Sequence, residues 1–269
     1  MSGKSPAKFS KTLGIDVGGT NTDIVIFDSS TGKFSHVKSM STRDFVKNPS
    51  VIGELAHKYC ADAIGLGIAA WFSKGEIIHS PHLPVEELRF DFSLPLFMDN
   101  DANCFAIYSH SIFPFDNILA VTIGTGIGCG LIINGKLYRG RGLAGEIGHW
   151  VVGREGVECK CGGLDHLECY FSGWGIRRIY GVDAKTLAKT QDLHKIPEFD
   201  ILCMALSNAV KILDPDAVVI GGRIGGELRE DLLKARIMVN LERGFNPIIK
   251  VLKDPLAAAK GASLLPFKG

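Results

Sequence analysis

Residues 119–134 repeat an earlier stretch of the same chain at a fixed distance, and this self-match narrows the possible folds more than any other feature. Moved back 106 places without a gap, Leu119–Asn134 falls on Leu13–Asp28. Leu13 meets Leu119, Ile15 meets Val121, Val17 meets Ile123 and Gly18 meets Gly124, while Val25-Ile26-Phe27 meets Leu131-Ile132-Ile133. Each copy reads as an apolar strand, a tight Gly/Thr turn and a second apolar strand. One supersecondary unit used twice is the simplest source of such a match.

A Gly-rich turn between strands lets backbone approach a ligand closely and gathers N–H groups into a concavity that favours anions. Two such turns facing one another would grip a polyphosphate from two sides. Ordinary hairpins also use glycine, but a matched pair carrying Thr20, Thr22 and Thr125 favours the anion reading. No Gly-Lys-Ser/Thr follows either turn, and neither opens a helix as Gly-x-Gly-x-x-Gly does. The grip would be strand–turn–strand.

With 46% hydrophobic and 22% charged residues, the 269-residue chain can bury one or two real cores. A formal net charge of +1 gives no reason to expect nucleic acid or an anionic membrane as partner. No apolar run reaches membrane-spanning length. Residues Met1–Lys11 read as a loose tail rather than a signal peptide. Seven cysteines, an odd number in a chain too large to need staples, point to a reducing compartment, the cytoplasm, with clustered cysteines serving a metal.

Three strands, Thr12–Val17, Thr22–Phe27 and Phe34–Lys38, form an expected meander. Asn48-Pro49 opens a helix to about Asp62, and a buried strand follows at Ala63–Ala70. A hairpin turns at Lys74-Gly75, and a short strand, Leu94–Met98, runs into Asp99-Asn-Asp-Ala-Asn103 and a helix to His110. Capping explains one Asp or Asn there, whereas four polar side chains in five positions at a strand end point to chemistry. The second half has a hairpin at Asn134-Gly135, a helix over Ile201–Leu213, a strand over Asp216–Ile220, and a third glycine turn, Gly221–Gly226. A helix over Glu227–Val239 follows, and a last helix, Leu256–Leu265, is capped by Asp254-Pro255. Between them, His149, Cys159, Cys161 and His166 fall within eighteen residues. Two thiolates and two imidazoles make the closed set that structural zinc prefers, with Cys169 as the alternative to His166. Cys60, Cys104, Cys129 and Cys203 read as small core residues.

Together these segments resemble the ROK family of sugar kinases and repressors, within the actin-like ATPase superfamily. Leu13–Asp28 and Val121–Gly130 look like its two phosphate segments, Asp99–Asn103 like its catalytic segment, and Ala144–His149 like its sugar-and-zinc segment. Cys159–Glu168 and Asp214–Gly222 are similar to its zinc and adenosine segments, all in family order over about residues 12–265. The resemblance implies an α/β fold of two actin-like (ribonuclease H-like) lobes with a cleft between them and a zinc-binding loop in the second. The lobes would be residues 1–111 and 112–251, with a C-terminal helix at 252–269 packing back on the first. It further implies an ATP-dependent hexokinase of glucokinase type, with Mg2+ and structural Zn2+ as cofactors. Asp101 would be the general base, and Asn100, Glu146, His149 and Glu168 would hold sugar hydroxyls. His149 would put its other nitrogen on zinc beside Cys159, Cys161 and His166. Asp16 would orient magnesium through water. Gly18, Gly19, Thr20, Thr22, Thr125 and Gly126 would cradle phosphates, and Gly221 and Gly222 would pass the adenosine.

The chain departs from the family pattern in several places. His166 and Asp165 stand where the family has Cys and Gly. The sugar-contacting Gly-x-Pro-Gly reads Gly67-Ile-Ala-Ala70, and His79 and His82 replace asparagines. The resemblance makes glucose the leading substrate, and these departures make a hexosamine, N-acetylmannosamine or fructose the alternative. The stretch from Ser172 to Phe199 looks trimmed, leaving a homodimer possible. About a dozen residues precede Leu13, too few for a repressor's helix-turn-helix. Retention of Asp101 argues against a non-catalytic sugar sensor.

Overall fold

The computed structural model describes residues 9–73, 76–80, 83 and 92–268. The chain divides into two compact units, residues 1–108 with 256–269, and residues 109–255. The Lys74-Gly75 turn and His82 lie outside the described residues.

In the first unit, β1 (Lys11–Val17), β2 (Asn21–Asp28) and β3 (Lys33–Ser41) are followed by helices α1 (Thr42–Lys47) and α2 (Val51–Tyr59). Next come β4 (Ala63–Ile68), the paired strands β5 (Trp71–Ser73) and β6 (Glu76–His79), β7 (Leu96–Asn100) and α3 (Asp101–Ile112). The sheet runs β3-β2-β1-β4-β7, antiparallel through the meander and parallel from β1 to β7. β4 is buried at every position, as a central strand covered on both faces must be. Ser41 caps α1 by accepting from the Asp44 N–H at 3.1 Å, and the fully buried ring of Phe45 pins that helix to the core. The sequence reading missed α1. Its signature is the capping box Ser41-x-x-Asp44.

The second unit repeats the plan. It runs β8 (Ile118–Ile123), β9 (Ile127–Ile133), β10 (Lys136–Tyr138), α4 (Gly173–Tyr180), α5 (Ala184–Leu187) and α6 (Pro197–Leu213). Then come β11 (Ala217–Gly221), α7 (Gly222–Gly225), α8 (Glu230–Val239) and β12 (Ile248–Val251). Its sheet order is β10-β9-β8-β11-β12, with the same pattern of parallel and antiparallel pairs. Phe171, Phe199, Leu202 and Leu206 pack with Val121, Ile123, Val218 and Ile220 as its core. After β12 the chain returns to the first unit. There α9 (Ala257–Leu264) packs against β1, β2 and β4, and the Thr12 hydroxyl donates to the Ser263 carbonyl at 2.6 Å.

Four expectations need correction. Val17 pairs with Thr22 but Ile123 pairs with Ile127, so the first glycine turn encloses four residues and the second three. The ungapped match thus holds for β1 and β8 and slips by one residue in β2 and β9, which exchanges side-chain faces. Second, Gly221–Gly226 is not a loop: β11 leads directly into α7, which Gly222 opens with a φ of 85°. Third, α9 starts at Ala257 without a side-chain cap, because residues 255 and 256 form a turn of their own. Fourth, the tail expected over residues 1–11 packs from Phe9 onward: Phe9 is buried edge-on against Phe97 and Phe267.

Candidate active site and metal cluster

In the first unit the candidate residues converge on the ends of three neighbouring strands. Asp16, Gly67 and Asp99 lie in one row across β1, β4 and β7, and Val17, Ile68 and Asn100 in the next. Gly67 faces the start of α3, where an added Cβ would lie 3.0 Å from the Cys104 sulfur and 3.5 Å from Asp101 Cα. Structural bonding takes up more of the 99–103 segment than the sequence alone indicates. Asp99 is buried and accepts from the Asn100 N–H at 2.8 Å and the Asn103 amide at 2.7 Å. Asn100 Oδ1 accepts from the Ala102 N–H at 2.9 Å, and its Nδ2 donates to the Ala70 carbonyl at 3.0 Å. Asn100 therefore ties the β4–β5 connection to the helix start, with one lone pair and one N–H outside these bonds among the described residues. Asp101, half-buried, is the first residue of α3 at the C-terminal end of a parallel strand, where ligands meet open α/β sheets.

The first glycine turn holds Gly18 and Gly19, both half-buried, and Thr20, which is exposed. Thr22 is different. It is fully buried, and its hydroxyl lies 3.2 Å from that of Thr42. Thr42 Oγ1 donates to the Gly18 carbonyl at 2.7 Å, so Thr22 is the donor to Thr42, and its hydroxyl is committed inside the fold rather than to a phosphate. Thr42 was absent from the sequence reading.

In the second unit, Thr125 and Gly126 form the turn between β8 and β9, and Gly221 ends the adjacent β11. Residues 144–149 lie directly on β9. A Cβ on Gly145, whose φ is 95°, would sit 2.3 Å from the Cys129 carbonyl oxygen, so only glycine fits there. That contact sets Glu146 and the 3-10 turn Ile147–His149.

His149 Nδ1 lies 3.3 Å from His166 Nδ1 and 3.9 Å from Cys159 Sγ, and Cys161 Sγ lies 3.2 Å from His166 Nδ1. All four donor atoms fall within 4.8 Å of one another. A tetrahedron built on Zn–N of about 2.0–2.1 Å and Zn–S of about 2.3 Å has N···N edges near 3.4 Å and N···S edges near 3.6 Å. The donor set suits a zinc ion in its chemistry, and the N···N and N···S separations of 3.3, 3.2 and 3.9 Å lie close to those edges. His166, not Cys169, belongs to the set among the described residues. His149 turns its Nε2 the other way, 3.7 Å from the Glu146 carboxylate. Burial pushes the Cys159 thiol pKa well up, and Glu168, 3.1 Å away, adds to the rise; a bound cation reverses that balance. Glu168 itself is buried.

Asp165, a departure from the family's glycine, keeps a glycine-like φ of 54°. Its carboxylate accepts from the Gly156 and Val157 N–H groups at 2.9 and 3.0 Å and from the Tyr170 hydroxyl at 2.8 Å. Burial raises its pKa, but these three bonds, with the Glu155 backbone, outweigh that, and the net shift is downward. An aspartate tolerates the left-handed region better than most residues, and here it fastens the loop of residues 156–165 from inside.

A model of the ROK family matches residues 12–245. The chain belongs to the ROK family. Its fold is mixed α/β and matches those of ROK-family structures. It is 29% identical to an N-acetyl-D-glucosamine kinase of Pasteurella multocida, over 94% of this chain and 98% of that one. It is 30% identical to a glucokinase of Pyrobaculum calidifontis, over 83% and 86%. Among solved structures, the ROK hexokinase of Thermus thermophilus aligns with a TM-score of 0.74 at 26% identity, over 96% of this chain and 98% of that one. The fold also matches a Streptomyces griseus ROK glucokinase bound to glucose and AMPPNP, with a TM-score of 0.79 at 24% identity, over 96% and 100%. No described helix is long and apolar enough to cross a membrane.

Proposed function

We propose that this kinase transfers the γ-phosphate of ATP to the 6-hydroxyl of glucose or a closely similar hexose, with Asp101 as general base. The observation that carries the reading is the position of Asp101. In a ROK-family chain it is the half-buried carboxylate opening α3 at a parallel strand end, beside an Asp99 already spent on Asn100 and Asn103. As the sugar oxygen attacks the γ-phosphorus, its proton passes to the Asp101 carboxylate, the new P–O bond forms, and the bond to the ADP oxygen breaks. Phosphoryl transfer asks chiefly for positioning and charge neutralisation. Magnesium bound with the nucleotide would supply part of the latter, oriented through water by Asp16. Gly18, Gly19, Thr20, Thr125 and Gly126 serve the phosphates, and Gly221 and Gly222 the adenosine. Asn100, Glu146, His149 and Glu168 accept and donate to sugar hydroxyls, which also rejects analogues lacking them. His149, Cys159, Cys161 and His166 would hold structural zinc, and with its Nδ1 turned to that set His149 keeps Nε2 for the sugar.

The Pasteurella relative, matched over nearly the whole of both chains, supports N-acetylglucosamine as a second reading. ATP consumption measured over a panel of hexoses, hexosamines and N-acetylhexosamines separates the two. In the same assay Asp101→Ala retains sugar binding and loses turnover by about 10²–10⁴-fold. Unchanged turnover in that variant would remove Asp101 from its role.

A further inference from the structure

Both glycine turns are held in the same way, by a helix start that takes their carbonyls. In the first, the Thr42 N–H donates to the Thr20 carbonyl at 3.0 Å while Thr42 Oγ1 donates to the Gly18 carbonyl at 2.7 Å. Thr42 is the first residue of α1, where a backbone N–H has no partner within the helix. In the second, the first two N–H groups of α4 do this work. Gly173 N donates to the Gly124 carbonyl at 2.8 Å and Trp174 N to the Thr125 carbonyl at 3.2 Å. A trans peptide carries its C=O and N–H on opposite edges. Drawing back the Gly18 and Thr20 carbonyls therefore turns the Gly19 and Asn21 N–H groups away from α1. Drawing back those of Gly124 and Thr125 turns the Thr125 and Gly126 N–H groups away from α4.

We propose that Thr42 is a positioning residue for nucleotide phosphate: its N–H and hydroxyl fix the peptide planes of the first turn so that the turn's amides face the ligand. Gly173 and Trp174 do the same for the second turn. The surroundings of Thr42 suit this part. It is buried, its hydroxyl also receives the Thr22 hydroxyl, and Phe45, one turn further along α1, is sealed in the core. Thr22, Thr42 and Gly18 thus form a hydroxyl–hydroxyl–carbonyl chain in which each bond polarises the next. In the second turn the fit is closer still. A Cβ on Gly173 would lie 2.8 Å from the Gly124 carbonyl oxygen and 3.4 Å from Thr125 Cα, so the helix start cannot carry a side chain without moving the turn.

This inference rests on the kinase reading for its ligand, and the test keeps the two apart. Thr42→Val removes the hydroxyl at nearly constant volume, Thr42→Ser keeps it, and Gly173→Ala displaces the second turn. Each variant is assayed for KM of ATP, KM of the sugar and kcat, and for AMPPNP binding by calorimetry. In Thr42→Val, kcat/KM for ATP falls about tenfold or more, equivalent to roughly one hydrogen bond, while KM for the sugar stays within about twofold; Thr42→Ser restores most of the loss. Gly173→Ala weakens AMPPNP likewise. A general loss of stability would move both KM values or active concentration alone, and a serine no better than valine would show that the hydroxyl is not the agent. Thr42→Val with wild-type ATP kinetics and AMPPNP affinity overturns the inference. Should the wild type phosphorylate no sugar on the panel, the kinase reading fails, and AMPPNP affinity still decides the role of Thr42.

Discussion

Replacing Gly145 by alanine asks whether contact with β9 holds the 144–149 segment in register. Two costs arise. A φ of 95° lies where side-chain-bearing residues are strained by about 1–3 kcal/mol. The added carbon would also lie 2.3 Å from the Cys129 carbonyl oxygen and 3.2 Å from its carbon. A carbon–oxygen contact is tolerable from about 3.3 Å, so the segment must withdraw by about 1 Å. Overpacking of that kind costs about 1–3 kcal/mol. The sum is about 2–6 kcal/mol, and at about 2–4 °C per kcal/mol for a chain of this size Tm falls by roughly 10 °C. The same movement carries Glu146 and His149 with it, and a misplacement of about 1 Å can cost about 100-fold in rate. Gly156→Ala is the matched control: its φ is 74°, but a Cβ there meets nothing within 4 Å, so it incurs the strain without the collision. Thermal unfolding, zinc per chain and kcat/KM for the sugar are measured on wild type and both variants. If Gly145→Ala matched Gly156→Ala in all three, contact with β9 would not be what positions Glu146 and His149.

Purified protein carries about one zinc per chain by elemental analysis, and Cys161→Ser lowers both that ratio and Tm; a folded, active preparation without stoichiometric zinc would refute the metal assignment. Asp165 gives a pH signature. Its carboxyl titrates below the ordinary aspartate range in the folded chain, so the stability it lends is complete above that range and fades as pH falls through the lower folded pKa. Wild type is therefore more stable than Asp165→Asn near neutrality, and in acid unfolding the gap narrows as pH falls through the ordinary aspartate range and below it; a gap that persisted at low pH would exclude the carboxylate's charge as its source.

The internal repeat, the Gly/Thr turns, the strand leading into Asp101 and the His149–His166 cluster were all legible from residue order. Strand periodicity, turn chemistry and ligand spacing are properties of residues close together in the chain, and the family resemblance rests on such local segments. What residue order could not supply was the assignment of polar groups to structure or to ligand. Thr22 looked like a phosphate contact until Thr42, twenty residues on, proved to receive its hydroxyl. The single-residue slip between the two turns is invisible in an ungapped match, because only the strand pairing reveals it. Asp165 looked like a departure at a glycine position, and the fold shows it receiving bonds from Gly156, Val157 and Tyr170.

Sequence by itself determined where the glycine turns, the candidate base and the metal donors lie, since each is a matter of residue type and short spacing. Tertiary structure alone decided which of those groups remain for chemistry. A buried polar group must find a partner, and that partner is brought by the fold from a distant part of the chain.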